Sequence, residues 1–215
     1  MKKQIIQIAT CAADTTPIRE ASYILKPTKN IVFLESIYNS KRKIMQASLE
    51  SELGIPTEIE IVDTTPQHSI YRKMANVIKQ YQKDNEIVVN VTGGTKEIAI
   101  LTLSAAFIMG VRSFYLSGGK IFWMPFSAIG LQEILGETRL QILQTLKKLG
   151  GVADSLSEIA INTGLNKSLI TYHIQGSNTS KGLVELGLVR TTQKKVGVKM
   201  RIHLTDLGEA ILELV

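Results

Sequence analysis

Glu86-Ile87-Val88-Val89-Asn90-Val91-Thr92-Gly93-Gly94-Thr95-Lys96-Glu97-Ile98-Ala99 decides how this chain folds. Glu86–Val91 is an apolar run of strand length. Thr92-Gly93-Gly94-Thr95 is a polar, glycine-bearing turn. From Lys96 to Met109 the composition is that of a helix, almost wholly apolar after Glu97 (Ile98, Ile100, Leu101, Leu103, Phe107, Ile108). Strand, tight loop and helix in that order make one unit of a parallel sheet. A helix apolar on every side is expected to be buried on every side. The sheet core accounts for part of that burial, and a dimer interface would account for the rest.

Working outward, the same alternation recurs. Gln4–Ala9, Ile31–Glu35 and Glu58–Val62 read as strands, and Pro17–Leu25, Lys41–Leu53 and Ser69–Lys83 as helices. Downstream, Ser113–Leu116 and Lys120–Met124 read as a hairpin around Ser117-Gly118-Gly119. The expected fold is α/β: a Rossmann-like, mostly parallel sheet covered on both faces, with an antiparallel edge, over residues 1–132.

From Glu137 the order reverses and helices come first. Leu140, Leu143, Leu146 and Leu149 form a helical stripe that Gly150-Gly151 stops. Ser155 with Glu158 is a capping box. That helix runs to about Asn162, Thr163-Gly164 turns, and a further helix follows to about Gln175. In it, Leu156, Ile159, Ala160, Leu165, Leu169 and Ile174 are the expected core. Gly187–Thr192 and Lys199–Leu204 read as two strands, and Thr205 or Asp206 caps a last helix. This is the order of an all-α domain with a small wing, a winged helix-turn-helix, over residues 137–215.

The charge is unevenly placed. Between Gly164 and His203 there are seven basic residues and one acidic residue, Glu185, so this segment carries the whole formal excess of +6. Such a patch on an otherwise balanced chain fits a surface for the phosphate backbone of double-stranded DNA; the plainer reading is a solvated charged face. The outward positions Lys167, Ser168, Thr171, Tyr172 and Gln175 are the candidates for base and phosphate contact. The wing residues Lys194, Lys195, Lys199 and Arg201 are candidates for phosphate or minor-groove contact. Gln175-Gly176-Ser177-Asn178-Thr179-Ser180 interrupts the expected helical run. The lone Cys11 excludes an internal disulfide, and neither a metal-ligand pattern nor a membrane-length apolar run is present. No metal, no cofactor, no membrane association and a cytoplasmic location are expected.

Two polar loops follow apolar strands: Thr10-Cys11-Ala12-Ala13-Asp14-Thr15-Thr16 and Thr92-Gly93-Gly94-Thr95-Lys96. In a doubly wound sheet the first and fourth strands adjoin at the switch point, so these loops would face each other across a ligand crevice. The glycines would let the backbone approach a ligand, and the helix start with Lys96 favours an anion, phosphate above all. A tight strand-to-helix turn is the plainer reading. There is no GxGxxG and no GxxxxGK[ST], so dinucleotide and NTPase sites are not indicated.

The stretch Val89–Ala99 resembles the signature of CRISPR-associated Rossmann-fold (CARF) domains. Lys181–Val189 and Leu204–Ala210 are similar to the family's transcription regulators, which add a C-terminal winged helix-turn-helix. The resemblance implies a homodimer that binds a cyclic oligoadenylate, cyclic tetra-adenylate being the expected ring, across its two-fold axis. It implies ligand contacts from Thr92, Gly93, Gly94, Thr95 and Lys96. Thr10, Cys11, Ala12, Asp14, Thr15 and Thr16 would close over the ring. It also leaves an alternative, a ring nuclease in which Thr10 and Lys96 position a ribose hydroxyl for in-line attack. A regulator of another nucleotide is the third reading.

Overall fold

The structure is a computed structural model that describes residues 3–66, 68–125, 131–177, 179–192 and 200–214. The chain divides into two compact units, Met1–Leu131 and Gln132–Glu213.

The first unit alternates strand and helix: β1 (Gln4–Cys11), α1 (Thr16–Leu25), β2 (Lys29–Glu35), a 3-10 turn (Ser36–Lys41), α2 (Arg42–Leu53), β3 (Thr57–Val62), α3 (His68–Tyr81), β4 (Asn85–Asn90), α4 (Lys96–Ile108), β5 (Arg112–Ser117) and β6 (Lys120–Trp123). The sheet order is β3-β2-β1-β4-β5-β6. All neighbours are parallel except β5 and β6, which pair antiparallel. This is the Rossmann-like, mainly parallel sheet expected. Its central strands are buried on both faces, which is why they read as continuous apolar runs. Ala9, Cys11, Val32, Leu34 and Ile59 pack with Ile18 of α1 and with Met45 and Leu49 of α2. On α3, Ile70, Met74 and Ile78 recur every fourth residue and are buried.

One expectation changes. Helix α4 is not buried on every side. It covers Ile98, Thr102, Ala105 and Ala106 and leaves Ile100 and Phe107 more than half exposed. Tyr115 of β5 and Phe122 of β6 stack at 5.2 Å and are also exposed. No helix among the described residues is long and apolar enough to cross a membrane.

The second unit comprises α5 (Leu131–Lys148, broken at Gly136), β7 (Val152–Ala153), α6 (Leu156–Thr163), α7 (Lys167–Gln175), β8 (Gly176–Ser177), β9 (Ser180–Lys181), β10 (Val189–Thr191), β11 (Ile202–Leu204) and α8 (Asp206–Leu214). Ser155 caps α6 by accepting from the Glu158 amide at 3.3 Å, while the Glu158 carboxylate reaches back to the Asp154 amide at 2.7 Å. Asn166 caps α7 in the same way, through the Leu169 amide at 2.8 Å. Ile159, Ile170 and Ile174 are fully buried. Leu156, Ala160, Leu165 and Leu169, expected in the core, are only half-buried, and Ile170, adjacent to Leu169 on α7, is the residue turned inward. The polar interruption after Gln175 is a small hairpin, β8 with β9. Arg139 holds it by donating to Ser180 Oγ at 2.7 Å and to the Lys181 carbonyl at 2.8 Å. A third strand that the sequence did not suggest, β7, joins β11 and completes a sheet of order β10-β11-β7.

Candidate functional site

The candidate site lies at the carboxyl ends of β1 and β4, which are parallel neighbours: Ala9 stands opposite Asn90. The first connections run from β1 toward β2 and β3, and the later ones return to β4 and β5. The two loops therefore leave the sheet side by side at its switch point.

Their contact is closer than a ligand site alone requires. The Thr10 hydroxyl donates to the Gly93 carbonyl at 2.6 Å. A Cβ on Gly93 would sit 2.6 Å from the Thr10 carbonyl oxygen. One on Gly94, whose φ is +86°, would sit 2.5 Å from Ile98 Cγ2 and 3.4 Å from the Cys11 amide nitrogen. Gly93 is thus required by the approach of one loop to the other, and Gly94 by its left-handed φ together with the closeness of Ile98 and Thr10, before any ligand is considered. Thr10 is 1% exposed with its proton engaged, so it stitches the loops together and does not face the crevice.

Asn90, which sequence reasoning passed over, organises the second loop. Its carboxamide donates to the Pro17 carbonyl at 3.0 Å, and its oxygen accepts from the Thr92 amide at 3.0 Å and the Thr92 hydroxyl at 2.6 Å. Thr92 Oγ1 in turn accepts from the Leu116 amide at 2.8 Å. A buried polar residue at the end of an apolar strand was the available signal. Glu35, the last residue of β2 and buried, accepts from the Thr95 hydroxyl. Thr95 also caps α4 through the Ile98 amide. The side chains of Thr10, Thr92 and Thr95 therefore hold the loop's shape.

What the loop presents is its backbone. Among the described residues no acceptor takes the amides of Gly93, Gly94, Thr95, Lys96 or Glu97. They lie at and just before the positive end of α4, and Lys96 is exposed beside them without an ion-pair partner among the described residues. Free amides, a helix N-terminus and an unpaired ammonium together make an anion cradle.

The first loop is built differently. Cys11 is fully buried, and burial, aided by the Asp14 charge and opposed by Arg19, pushes its thiol up to about 12. It is a packing residue against Met45, 3.8 Å away. Asp14 accepts from the Thr16 amide at 2.9 Å; that amide and then the Thr16 hydroxyl hold its carboxyl below the ordinary value. Thr15 is nearly buried and accepts from Arg19. Ala12 is half-buried and Thr16 exposed. Among the described residues no group of histidine, cysteine or carboxylate side chains could hold a metal ion.

In the second unit Lys167, Ser168, Tyr172 and Gln175 are exposed along α7. Thr171 is half-buried and its hydroxyl donates to the Lys167 carbonyl at 2.8 Å. Arg201 is exposed and pairs with Asp154 at 2.8 Å. Lys194, Lys195 and Lys199 lie outside the described residues. His173 is half-buried and its pKa is lowered, first by burial and then by Arg139.

No family model matches the chain. An uncharacterized protein of Archaeoglobus fulgidus is 26% identical over 174 residues, which make up 77% of this chain and 78% of that one. Can2 from Sulfobacillus thermosulfidooxidans, solved with cyclic tetra-adenylate, aligns at a TM-score of 0.46 and 11% identity, over 97% of this chain and 61% of its own. A type III CRISPR defence DNA nuclease activated by cyclic oligoadenylate aligns at 0.49 and 13% identity, over 81% of this chain and 34% of its own. VC1899 from Vibrio cholerae aligns at 0.49 and 9% identity, over 98% of this chain and 64% of its own. The chain thus spans between 34% and 64% of the length of these three structures.

Proposed function

We propose that this chain is a ligand-gated transcription regulator. Residues 1–132 would form a CARF sensing domain for a cyclic oligoadenylate, with cyclic tetra-adenylate the expected ring. Residues 137–215 would form a winged helix-turn-helix for double-stranded DNA. The observation that carries the sensing half is the cradle of unaccepted amides from Gly93 to Glu97 with the unpaired Lys96. It suits a phosphodiester, and it is built on the stretch that resembles the family signature.

The homodimer in this reading is supported by the surface that one copy leaves uncovered. Ile100 and Phe107 of α4, with Tyr115 and Phe122 of the edge hairpin, are apolar and exposed. Joining two copies there would bury them and give a symmetric ring a symmetric site. Lys167, Ser168, Tyr172 and Gln175 on α7 would enter the major groove, and between Glu158 and Glu185 no carboxylate interrupts that surface. The ring would gate DNA binding only by its unequal affinity for two arrangements of the dimer.

The deciding experiment is calorimetric titration with cyclic tetra-adenylate beside a Lys96→Ala variant. One ring per dimer, weakened in the variant, is the expected result; no binding by the intact protein overturns the sensing reading. Gating is tested by duplex affinity with and without the ring, equal values rejecting it. The ring-nuclease alternative draws no support from Thr10, whose proton is committed to Gly93. Cleavage of the ring after prolonged incubation with excess protein would revive it.

A further inference from the structure

We propose that a cavity between the Cys11–Thr16 loop and α2 is a nucleobase subsite of the same crevice. The proposal rests on the sensing reading and names where the ligand's base goes. The cavity has a volume of about 320 Å³ and is lined by Ala13, Thr15, Lys41, Ile44, Met45 and Ser48. That lies within the usual span of small-molecule sites, about 300–1,000 Å³.

Its position is the first argument. Ala13 and Thr15 belong to the loop that ends β1, and β1 is the direct neighbour of β4, whose loop carries the amide cradle. Neighbouring strands lie about 4.8 Å apart. A phosphate at the loop after β4 and a planar base at the loop after β1 would therefore rest on adjacent loops at one end of the sheet.

Its chemistry is the second. Ala13, Ile44 and Met45 give apolar walls, and no carboxylate lines the cavity. Met45 is buried, whereas Ile44 is 76% exposed. An isoleucine held in water at the mouth of a cavity gains contact when a flat heteroaromatic face covers it. The polar rim consists of the Thr15 and Ser48 hydroxyls and the Lys41 ammonium, which has no ion-pair partner among the described residues. These groups suit the ring nitrogens of a purine.

Its rigidity is the third. One guanidinium ties both walls together: Arg19 donates to Thr15 Oγ1 of the loop and, at 3.0 Å, to Ser48 Oγ of α2, and pairs with Glu52 at 2.5 Å. The cavity is formed before any ligand arrives, and a preformed site spares the ligand the cost of ordering it.

The test uses the full chain with two probes: cyclic tetra-adenylate, and the same ring carrying 2-aminopurine in place of adenine. Ile44→Glu places a charge on an exposed position, and Ala13→Trp fills the cavity from the loop side. Each is expected to weaken ring binding at least about tenfold while the thermal melt stays at the wild-type value. The emission of 2-aminopurine is expected to change on binding to wild type, and that change is lost with Ile44→Glu at saturating protein. If Lys96→Ala weakens the ring and neither cavity variant does, the base subsite is overturned and the sensing reading stands. If the intact protein binds neither probe, the sensing reading falls and the subsite falls with it.

Discussion

Two glycine pairs in the first unit are alike as letters and unlike as structure. Gly118-Gly119 turns β5 into β6 with φ of +55° and +70°, and a side chain added at either would meet nothing within 4 Å. That pair exists for its dihedrals, as a two-residue hairpin turn demands. In Gly93-Gly94 the first residue exists for space, while the second, with φ of +86°, needs both its dihedral and the room beside Ile98. A Cβ on either residue would collide with β1 or with the first turn of α4, and Gly93 has no positive φ to justify it. The first pair serves a turn that faces water, while the second lets two loops share one crevice.

That contrast is open to direct attack. The largest effect is expected from Gly93→Ala. Its methyl meets a backbone carbonyl that cannot swing aside, so unfolding in urea should show a loss of about 2–3 kcal/mol. An unchanged midpoint would mean that the loops do not approach as described. Asn90→Ala should follow at about 2 kcal/mol, because it strands the Pro17 carbonyl and the Thr92 amide together. Lys96→Ala should leave the melt alone, within about 0.5 kcal/mol. Its effect belongs in ring affinity, about tenfold, since a charge-assisted contact is lost. Gly118→Asn should do least, within about 0.5 kcal/mol in the same urea series, because asparagine tolerates the left-handed region. A large loss there would erase the distinction between the two pairs.

The sheet was legible in the sequence because the buried parallel strands β1, β2 and β4 stand on nearly unbroken apolar runs, while β3 shows the alternation of a strand and β5 with β6 flanks a glycine turn. The third strand of the small sheet in the second unit, Val152–Ala153, was not, since two residues carry no periodicity. The slip from Leu169 to Ile170 has a similar origin: in a nine-residue helix adjacent leucine and isoleucine positions are nearly indistinguishable by spacing. At the candidate site the sequence pointed to two loops that the sheet does bring side by side, and it did not show that Gly93 is already required where they meet. It could not reveal Asn90 and Glu35, because their importance comes from partners 73 and 60 residues away in the chain. The cavity against α2 depends on Arg19 joining Thr15 to Ser48, another long-range meeting that no local pattern announces.

Cys11 has a use beyond packing. It is the chain's only cysteine, fully buried, and its thiol stays protonated across the working pH range. Burial is therefore expected to keep the wild-type protein unreactive toward maleimides and methanethiosulfonates, as a labelling trial would check. A cysteine introduced at an exposed site such as Lys167 would be the sole point of attachment for a spin label or fluorophore, with no background to remove. In a symmetric pair of copies that label would report a single distance. Following it by pulsed electron resonance with and without the ring would test whether the α7 helices move, an unchanged distance counting against gating.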